Sequence, residues 1–464
     1  MHEELEGFLH PRSAAVVGAS RDPMKGGHDL TYNLVKCLPG RVYPVNPRYD
    51  EVAGAPCFAS LADLPETPDL AVLFVPAKAV PEVLRQCAAK GTRCVMLQGA
   101  GFAETGPEGA RLQDECLAIA RRHGLRLWGP NCMGVVDGNQ PLVASFMRPA
   151  IWEGKLQAGG VSLIVQSGML AAGFLMQVIS QGYFGLAKAC SIGNRVDVGE
   201  CDLLEYFAHD PETEVVALYL ESVSDPPRFR AAVENLGRPV VLLKGGLSPA
   251  GAQAALSHTG SLAGNAAVAE GFFRQLGLHR AHDFVELMDL TKALYLWRQR
   301  TGGKRVGVIT FSGAAGIVAA DHLCAQGLEL AQLSPASLER LAAVFPAWME
   351  PHNPVDLWPA IEKSGRAEAY GAALEALLND PNVDAVQVHY FVEPAIMAAG
   401  MDCLAAAAAS PKPVTFWPVG DAGCFDEFRQ KAEAMGAPVF GEISRGVAAL
   451  VLAAAEARRP GRRV

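Results

Sequence analysis

The chain has 464 residues, half of them hydrophobic and 19% charged, with a formal net charge of −9. That length allows about three domains, each with its own core, and the composition excludes an intrinsically disordered chain. The acidic balance, with no lysine/arginine stripe to offset it, excludes a nucleic-acid partner. The one basic cluster, Arg458, Arg459, Arg462 and Arg463, reads as a solvated tail.

The N-terminal stretch MHEELEGFLH is acidic and lacks an apolar core, so no signal peptide is expected. No apolar run approaches the ~18 residues of a membrane span, so no membrane association is expected. Eleven cysteines without CxxC or CxxH pairs argue against a disulfide framework and against a metal site. A cytoplasmic location follows as the expectation.

In chain order, short apolar runs alternate with helical patterns. A first set, SAAVVGAS, RVYPVN, LAVLFVP, RCVMLQ and RLWGP, closes near residue 135. VSLIVQSG, LAKACSIG, VVALYLE and PVVLLKGG form a second set. After the polar stretch Arg298–Lys304, a third comprises RVGVITFSG, AVQVHYF, PVTFWPVG and APVFGE. Hydrophobicity in these strands is continuous rather than alternating, which implies parallel sheets buried on both faces. The prediction is an α/β chain of three domains, 1–148, 149–300 and 301–464, with ligands at the carboxyl ends of the strands.

The first such end is Gly18, Ala19 and Ser20, followed by RDPMKGG and a helix from about His28. Small residues there let the backbone approach a phosphate, and the helix N-terminus adds amide donors. The G-x-G-x-x-G fingerprint is absent, and the second strand ends in Asn46 and Arg48 rather than an acidic residue. An arginine there suits a ligand phosphate, either the 3'-phosphate of CoA or the 2'-phosphate of NADP.

The segments VVGASRDPMKGG, YPVNPRYDEVAG, LAVLFVPAKAVPEVL, QGAGFAETG and WGPNCMG occur in that order. They are followed by VQSGML, SIGNRVDVGECDLLEY, LYLES, LLKGG, SHTGSLAG and NPVDL. Together they resemble the alpha subunit of NDP-forming (ADP-forming) acyl-CoA synthetases in the succinyl-CoA synthetase superfamily. The resemblance implies an N-terminal Rossmann-like CoA-binding domain followed by two flavodoxin-like parallel-sheet domains. It implies that Gly18, Ala19, Ser20, Lys25, Asn46, Arg48, Val75, Pro76 and Asn131 line the CoA site, Arg48 standing where the family usually has lysine. Cys132 would lie near the CoA thiol or serve as a small buried hydrophobe.

His258, in ALSHTGSLAG, stands among small and hydroxyl-bearing residues, in what reads as a loop able to expose an imidazole. Neutral imidazole is nucleophilic near neutral pH, and the resemblance makes this the phosphorylated histidine. It also implies that Glu221 orients that histidine, and that two helix N-termini hold its phosphate: Gln166, Ser167 and Gly168 at one, Ser312 and Gly313 at the other. The second loop reads SGAAG where the family more often has GGPG. Gly193, Asn194 and Asp197 form a further strand-end loop to which the sequence assigns no role.

The implied reaction is acyl-CoA + NDP + phosphate ⇌ acid + CoA + NTP, through acyl phosphate and phosphohistidine. The three domains leave no length for an ATP-grasp domain. ATP/ADP and magnesium are therefore expected on a partner ATP-grasp beta subunit, in a heterotetramer, with CoA and a small carboxylic acid as substrates. On the residues alone, a non-catalytic CoA-binding or regulatory paralogue and an NADP-dependent oxidoreductase stay open. Phe102, Met133 and Met169 are candidates for shaping an acyl pocket.

Overall fold

In the computed structural model, residues 2–140, 142–259, 266–298 and 300–458 are described. The chain divides into two compact units, Met1–His282 and Asp283–Val464. The first unit carries two large sheets and a short antiparallel pair, Glu51–Val52 with Ala55–Pro56. One is five-stranded and wholly parallel, built from β1 (Ala14–Val17), β2 (Val42–Val45), β3 (Leu70–Leu73), β4 (Cys94–Leu97) and β5 (Arg126–Trp128) in the order β2-β1-β3-β4-β5. Every residue of β1, β3 and β4 is buried, because helices cover both faces. Helix α1 (Gly26–Cys37) follows β1, beginning two residues earlier than the sequence suggested, with Lys25 at its N-cap.

The second sheet has seven strands: β6 (Gly134–Asp137), β7 (Leu142–Ala144), β8 (Ala158–Val165), β9 (Leu186–Ser191), β10 (Val215–Leu220), β11 (Val240–Lys244) and β12 (His279–Ala281). Their order is β12-β11-β10-β8-β9-β6-β7. The sheet is parallel as expected from β12 through β9, and antiparallel at one edge. After RLWGP the chain turns into β6 and β7, which extend the second sheet by antiparallel pairing onto β9. A buried ion cluster fixes this edge. Lys188 on β9 faces Asp137 on β6 in register, with Nζ 3.3 Å from Asp137, 3.2 Å from Asp210 and 2.9 Å from Glu212. A lysine with no exposed surface requires such partners.

The second unit holds one parallel sheet: β13 (Arg305–Thr310), β14 (Glu329–Leu330), β15 (Val355–Asp356), β16 (Ala385–Val392) and β17 (Val414–Gly420). Its order is β14-β13-β16-β17, with β15 pairing to the C-terminal half of β13. Asn353 in NPVDL acts as a stitch. Its Nδ2 donates to Val306 O at 2.8 Å and Ala331 O at 3.0 Å, and its Oδ1 accepts from Val308 N at 2.9 Å. APVFGE, expected to be a strand, forms only an isolated bridge between Val439 and Phe416, since Pro438 removes a ladder donor. The helix Phe284–Trp297 packs within this unit, where Lys292 Nζ donates to Val439 O at 2.6 Å and lies 2.7 Å from Glu433.

His389, in the middle of β16, is fully buried; its Nδ1 bonds the Thr310 hydroxyl at 3.1 Å and its ring meets Trp417 edge-on. Burial pushes its pKa down to about 3. The unfolded chain takes up a proton near pH 6.5 while the folded chain does so only near pH 3, so stability is full above pH 6.5 and is lost as pH falls toward 3. The difference is up to about 5 kcal/mol. His389→Gln should therefore flatten the acid limb of a urea-denaturation series run from pH 7 to pH 4; an unchanged acid limb would contradict the buried, neutral imidazole.

Candidate functional site

The first cluster lies along the carboxyl edge of the five-stranded sheet. Gly18 adopts φ +93°, and a Cβ there would stand 2.3 Å from Phe74 O. A Cβ on Gly27 would stand 2.4 Å from Gly18 O, so the end of β1 and the first turn of α1 meet backbone to backbone. Asn46 Nδ2 donates to Ala19 O at 2.8 Å, and its Oδ1 accepts from Arg48 N at 3.0 Å. Asn46 thus joins the ends of β1 and β2. Ser20 is buried and its Oγ accepts from Asp22 N, whereas Lys25 and Arg48 are exposed. Val75 and Pro76 follow β3 on the same edge, with Val75 Cγ1 3.0 Å from the position of a Gly18 Cβ. The sequence missed Arg21, an exposed cation lying over the Tyr49 ring at 5.4 Å and donating to Glu51 O at 2.6 Å. A strand-end turn that admits no Cβ, with exposed Arg21, Lys25 and Arg48 in the loops that leave β1 and β2, fits a phosphorylated ligand.

Asn131 stands at the end of this row, and from it the second sheet begins. Its φ is +56°, a conformation asparagine tolerates. The Gly129–Asn131 segment interlocks with the loop after β9. Asn194 N donates to Pro130 O at 2.9 Å, Val196 N to Gly129 O at 2.9 Å and Val198 N to Leu127 O at 3.0 Å. Trp128 Nε1 donates to Ser191 O at 2.8 Å. Gly193 fits at φ +54° because a Cβ would lie 2.1 Å from Pro130 O. Asp197 accepts from Arg126 Nε and from Leu127 N, both at 2.8 Å. Asn194 Nδ2 donates to Glu104 at 2.6 Å and to Gln113 at 3.0 Å, while its Oδ1 accepts from Asn131 Nδ2 at 3.4 Å. Burial raises the Glu104 pKa, but the donors from Asn194, Gly101 and Phe102 outweigh it and hold the carboxyl below its ordinary value. The loop without a role in the sequence is therefore the joint between the two sheets.

The second cluster lies on the carboxyl edge of the seven-stranded sheet. Gln166 and Glu221, after β8 and β10, are both buried, and Gln166 Oε1 accepts from Glu221 N at 2.8 Å and Ser222 N at 3.3 Å. Ser167 caps α2 (Gly168–Gln181), its hydroxyl accepting from Leu170 N. The position of a Gly168 Cβ is 3.4 Å from Asn131 O, so this helix terminus abuts the last residue of the first cluster. Three neighbours of Glu221 were not foreseen. Lys244 Nζ donates to Glu221 O at 2.6 Å and to Gly245 O; burial and the Glu221 charge push the Tyr219 pKa up to about 12; Arg195, paired with Glu200 at 2.9 Å, donates to Ser222 O at 2.8 Å and to the Ser222 hydroxyl. Burial, with Arg280 nearby, lowers the Lys244 pKa. The signal available for Tyr219 was its i,i+2 spacing to Glu221, which puts both on one face of a strand.

His258 falls within α3 (Pro249–Thr259), which packs against the turn Ala103–Thr105; its side chain, and residues 260–265, lie outside the described residues. The loop expected at SHTGSLAG thus begins later than the sequence suggested, because the alanine-rich PAGAQAAL carries helix through Thr259. Ser312 and Gly313 belong to the second unit, at the N-terminus of α4 (Gly313–Ala325). Ser312 N donates to the Thr310 hydroxyl at 3.1 Å, and a Gly313 Cβ would stand 3.0 Å from an Asp356 carboxylate oxygen. Cys132 is buried and its thiol is pushed up to about 12, which makes it a packing residue. Phe102 and Met133 are also buried, whereas Met169 is exposed. Among the described residues no cluster of His, Cys, Asp and Glu could hold a metal ion, and no helix is long and apolar enough to cross a membrane.

Two family profiles match the chain: a CoA binding domain over residues 12–137 and a succinyl-CoA ligase like flavodoxin domain over residues 158–294. The chain is 38% identical over 382 residues to the acetate–CoA ligase [ADP-forming] II subunit alpha of Pyrococcus furiosus, covering 82% of this chain and 81% of that one. It is 34% identical over 387 residues to acetate–CoA ligase [ADP-forming] II of Archaeoglobus fulgidus, but spans only 56% of that longer protein's length. Its fold matches the dinucleotide forming acetyl-coenzyme A synthetase 1 of Candidatus Korarchaeum cryptofilum, solved with phosphate and ADP. That match has a TM-score of 0.87 and 30% identity, over 99% of this chain and 97% of the other.

The interlock is testable through its glycine. Gly193→Ala should cost about 2–4 kcal/mol, combining left-handed strain with a backbone clash. Gly54→Ala, also left-handed at φ +79° but with nothing within 4 Å, should cost about 1 kcal/mol. Equal losses in denaturant unfolding would mean that Gly193 does not touch Pro130.

Proposed function

This chain belongs to the ADP-forming acyl-CoA synthetases of the succinyl-CoA synthetase superfamily, and we propose that it is the alpha-type subunit, an acid–thiol ligase whose His258 carries the phosphoryl group. The observation that carries this reading is the contact between the two strand-end clusters. Asn131 O, at the end of the row proposed for CoA, is 3.4 Å from the position of a Gly168 Cβ, at the helix N-terminus proposed for the phosphoryl group. A thioester carbonyl and an anion held at these points would be neighbours, which is the chief requirement of the reaction.

In the proposed sequence, a phosphate oxygen attacks the acyl carbonyl and CoA leaves as its thiol. Lys25 and Arg48 bind the ligand's phosphates; Gly18 leaves the backbone room. A ring nitrogen of His258 then attacks phosphorus, the N–P bond forming as the acyl O–P bond breaks and the carboxylic acid departs. Glu221 accepts the N–H of the other ring nitrogen, fixing the tautomer and spreading the charge that develops. The Ser167–Gly168 helix terminus neutralises the phosphoryl oxygens. The Ser312–Gly313 terminus is proposed as the second contact. Asp356 beside Gly313 already places a carboxylate there, so this terminus holds an anion less strongly than the first. ATP/ADP and magnesium are assigned to a partner ATP-grasp beta subunit. The 81% coverage of a relative named as a subunit alpha supports that division.

The chain mixed with its partner subunit, labelled NTP and magnesium should gain an acid-labile, base-stable phosphate on His258. His258→Asn should abolish it, and label retained in that variant would overturn the assignment. Glu221→Gln should cut turnover about 10–100-fold while leaving CoA affinity unchanged in calorimetry. Unchanged turnover would return Glu221 to a structural role. NTP synthesis should require the added partner chain.

A further inference from the structure

Helix α4 begins differently from α2. Ser167 caps α2 with its own hydroxyl, whereas Ser312, the N-cap of α4, makes no side-chain cap bond. No capping side chain takes up the first amides of α4, and Gly313 and Ala314 are exposed. What holds this terminus is the residue two positions earlier. Thr310, the last residue of β13, is fully buried, and its hydroxyl reaches the Ser312 main chain twice. It accepts from Ser312 N at 3.1 Å and lies 2.9 Å from Ser312 O, to which it can donate.

A third partner decides where the hydroxyl proton lies. His389 Nδ1 is 3.1 Å from the Thr310 hydroxyl oxygen. That oxygen has one proton to give and two lone pairs to offer. With the proton on Ser312 O, the lone pairs take the Ser312 N–H and an Nδ1–H of the ring, and all three contacts are satisfied. With the proton directed at Nδ1, the bond to Ser312 O is lost. The neutral ring must then carry its hydrogen on Nε2, which is buried and has no hydrogen-bond partner among the described residues. The first arrangement wins. From this geometry we infer that Thr310 is the positioning residue for the second phosphoryl contact: with its proton directed by the His389 ring, it fixes the Ser312 main chain and aims the open amides of α4. The inference rests on the proposed phosphoryl role of the Ser312–Gly313 terminus and deepens it.

The ring that directs the hydroxyl is itself fixed. The Tyr370 hydroxyl donates to His389 O at 2.7 Å, and Trp417, in register with His389 on β17, meets the imidazole edge-on. The aim of the α4 amides matters because of their neighbour. Thr310 pairs in register with Asp356 on β15, whose carboxylate oxygen would stand 3.0 Å from a Gly313 Cβ. A phosphoryl anion and this carboxylate repel more strongly the closer they come. A terminus free to tilt would spend part of its time carrying the anion toward Asp356. One held at both Ser312 N and Ser312 O presents its amides in a single direction.

The test uses the chain assembled with its partner subunit, with inorganic phosphate as the probe. Thr310→Val should raise the KM for phosphate about 10-fold and leave the KM for CoA unchanged. Thr310→Ser keeps the hydroxyl and should stay within about twofold of the wild-type value. Nitrogen NMR of the histidine-labelled wild-type chain, with the His389 signals identified by their loss in His389→Gln, should show the ring protonated at Nδ1 alone. That measurement stands whether or not Thr310→Val folds. A wild-type KM for phosphate in Thr310→Val, an equal rise in both KM values, or a His389 proton on Nε2 would overturn the inference and leave the phosphohistidine reading intact. Label retained by His258→Asn would overturn that reading, and the inference with it.

Discussion

Two polypeptide segments, joined chiefly through their main chains, hold the candidate site together: Gly129–Asn131 and the loop from Ile192 to Val196. Their main chains run so close that Gly193 admits no Cβ, and their amides and carbonyls satisfy one another as strand neighbours would. Backbone hydrogen bonds buried in this way are costly to break, because each orphaned group then lacks water as well as a partner. The edge that carries the small-residue turn and the edge that carries the buried carboxylate are thereby fixed to each other within the first unit. Loosening this joint would leave both clusters individually intact yet separate the groups that have to react.

The buried carboxylate at the second edge is held in an instructive way. What the structure fixes is its main chain: Gln166 Oε1 accepts from the Glu221 N–H at 2.8 Å, and the Lys244 ammonium donates to the Glu221 carbonyl at 2.6 Å and to Gly245 O. The neighbouring Arg195–Glu200 pair is closed on itself and on Ser222 and Ser224, so its charge is spent on rigidity.

Much of this architecture was legible in the sequence, since continuous apolar runs such as AAVV and LAVL mark parallel strands covered on both sides. The strand ends were legible too: Gly18, Asn46, Gln166 and Glu221 all fall where a sheet edge puts them. Other features left weaker traces. β6 and β7 follow RLWGP without a break in hydrophobicity, and only the spatial pairing of Asp137 with Lys188 determines which sheet they join. His279–Ala281 is too short and too polar to read as a strand. Asn194 and Asp197 lie in a polar loop, and their importance resides in partners more than sixty residues away in the chain. The helix through Thr259 was hidden because SHTGS reads as turn chemistry, whereas the preceding alanines extend the helical hydrogen-bond ladder.

Cys132 sits beside Asn131, at the point where the proposed reaction brings a foreign thiol. Its own sulfur faces Leu97 O at 3.4 Å in an interior that holds its proton tightly. A thiolate at this place would intercept acyl groups, forming a dead-end thioester with the protein, and would exchange into mixed disulfides with the ligand under oxidising conditions. Burial removes that hazard while keeping a side chain small enough for the crowded crossing of the two sheets. Chemical silence is thus what this cysteine contributes beside the place proposed for the substrate's thiol.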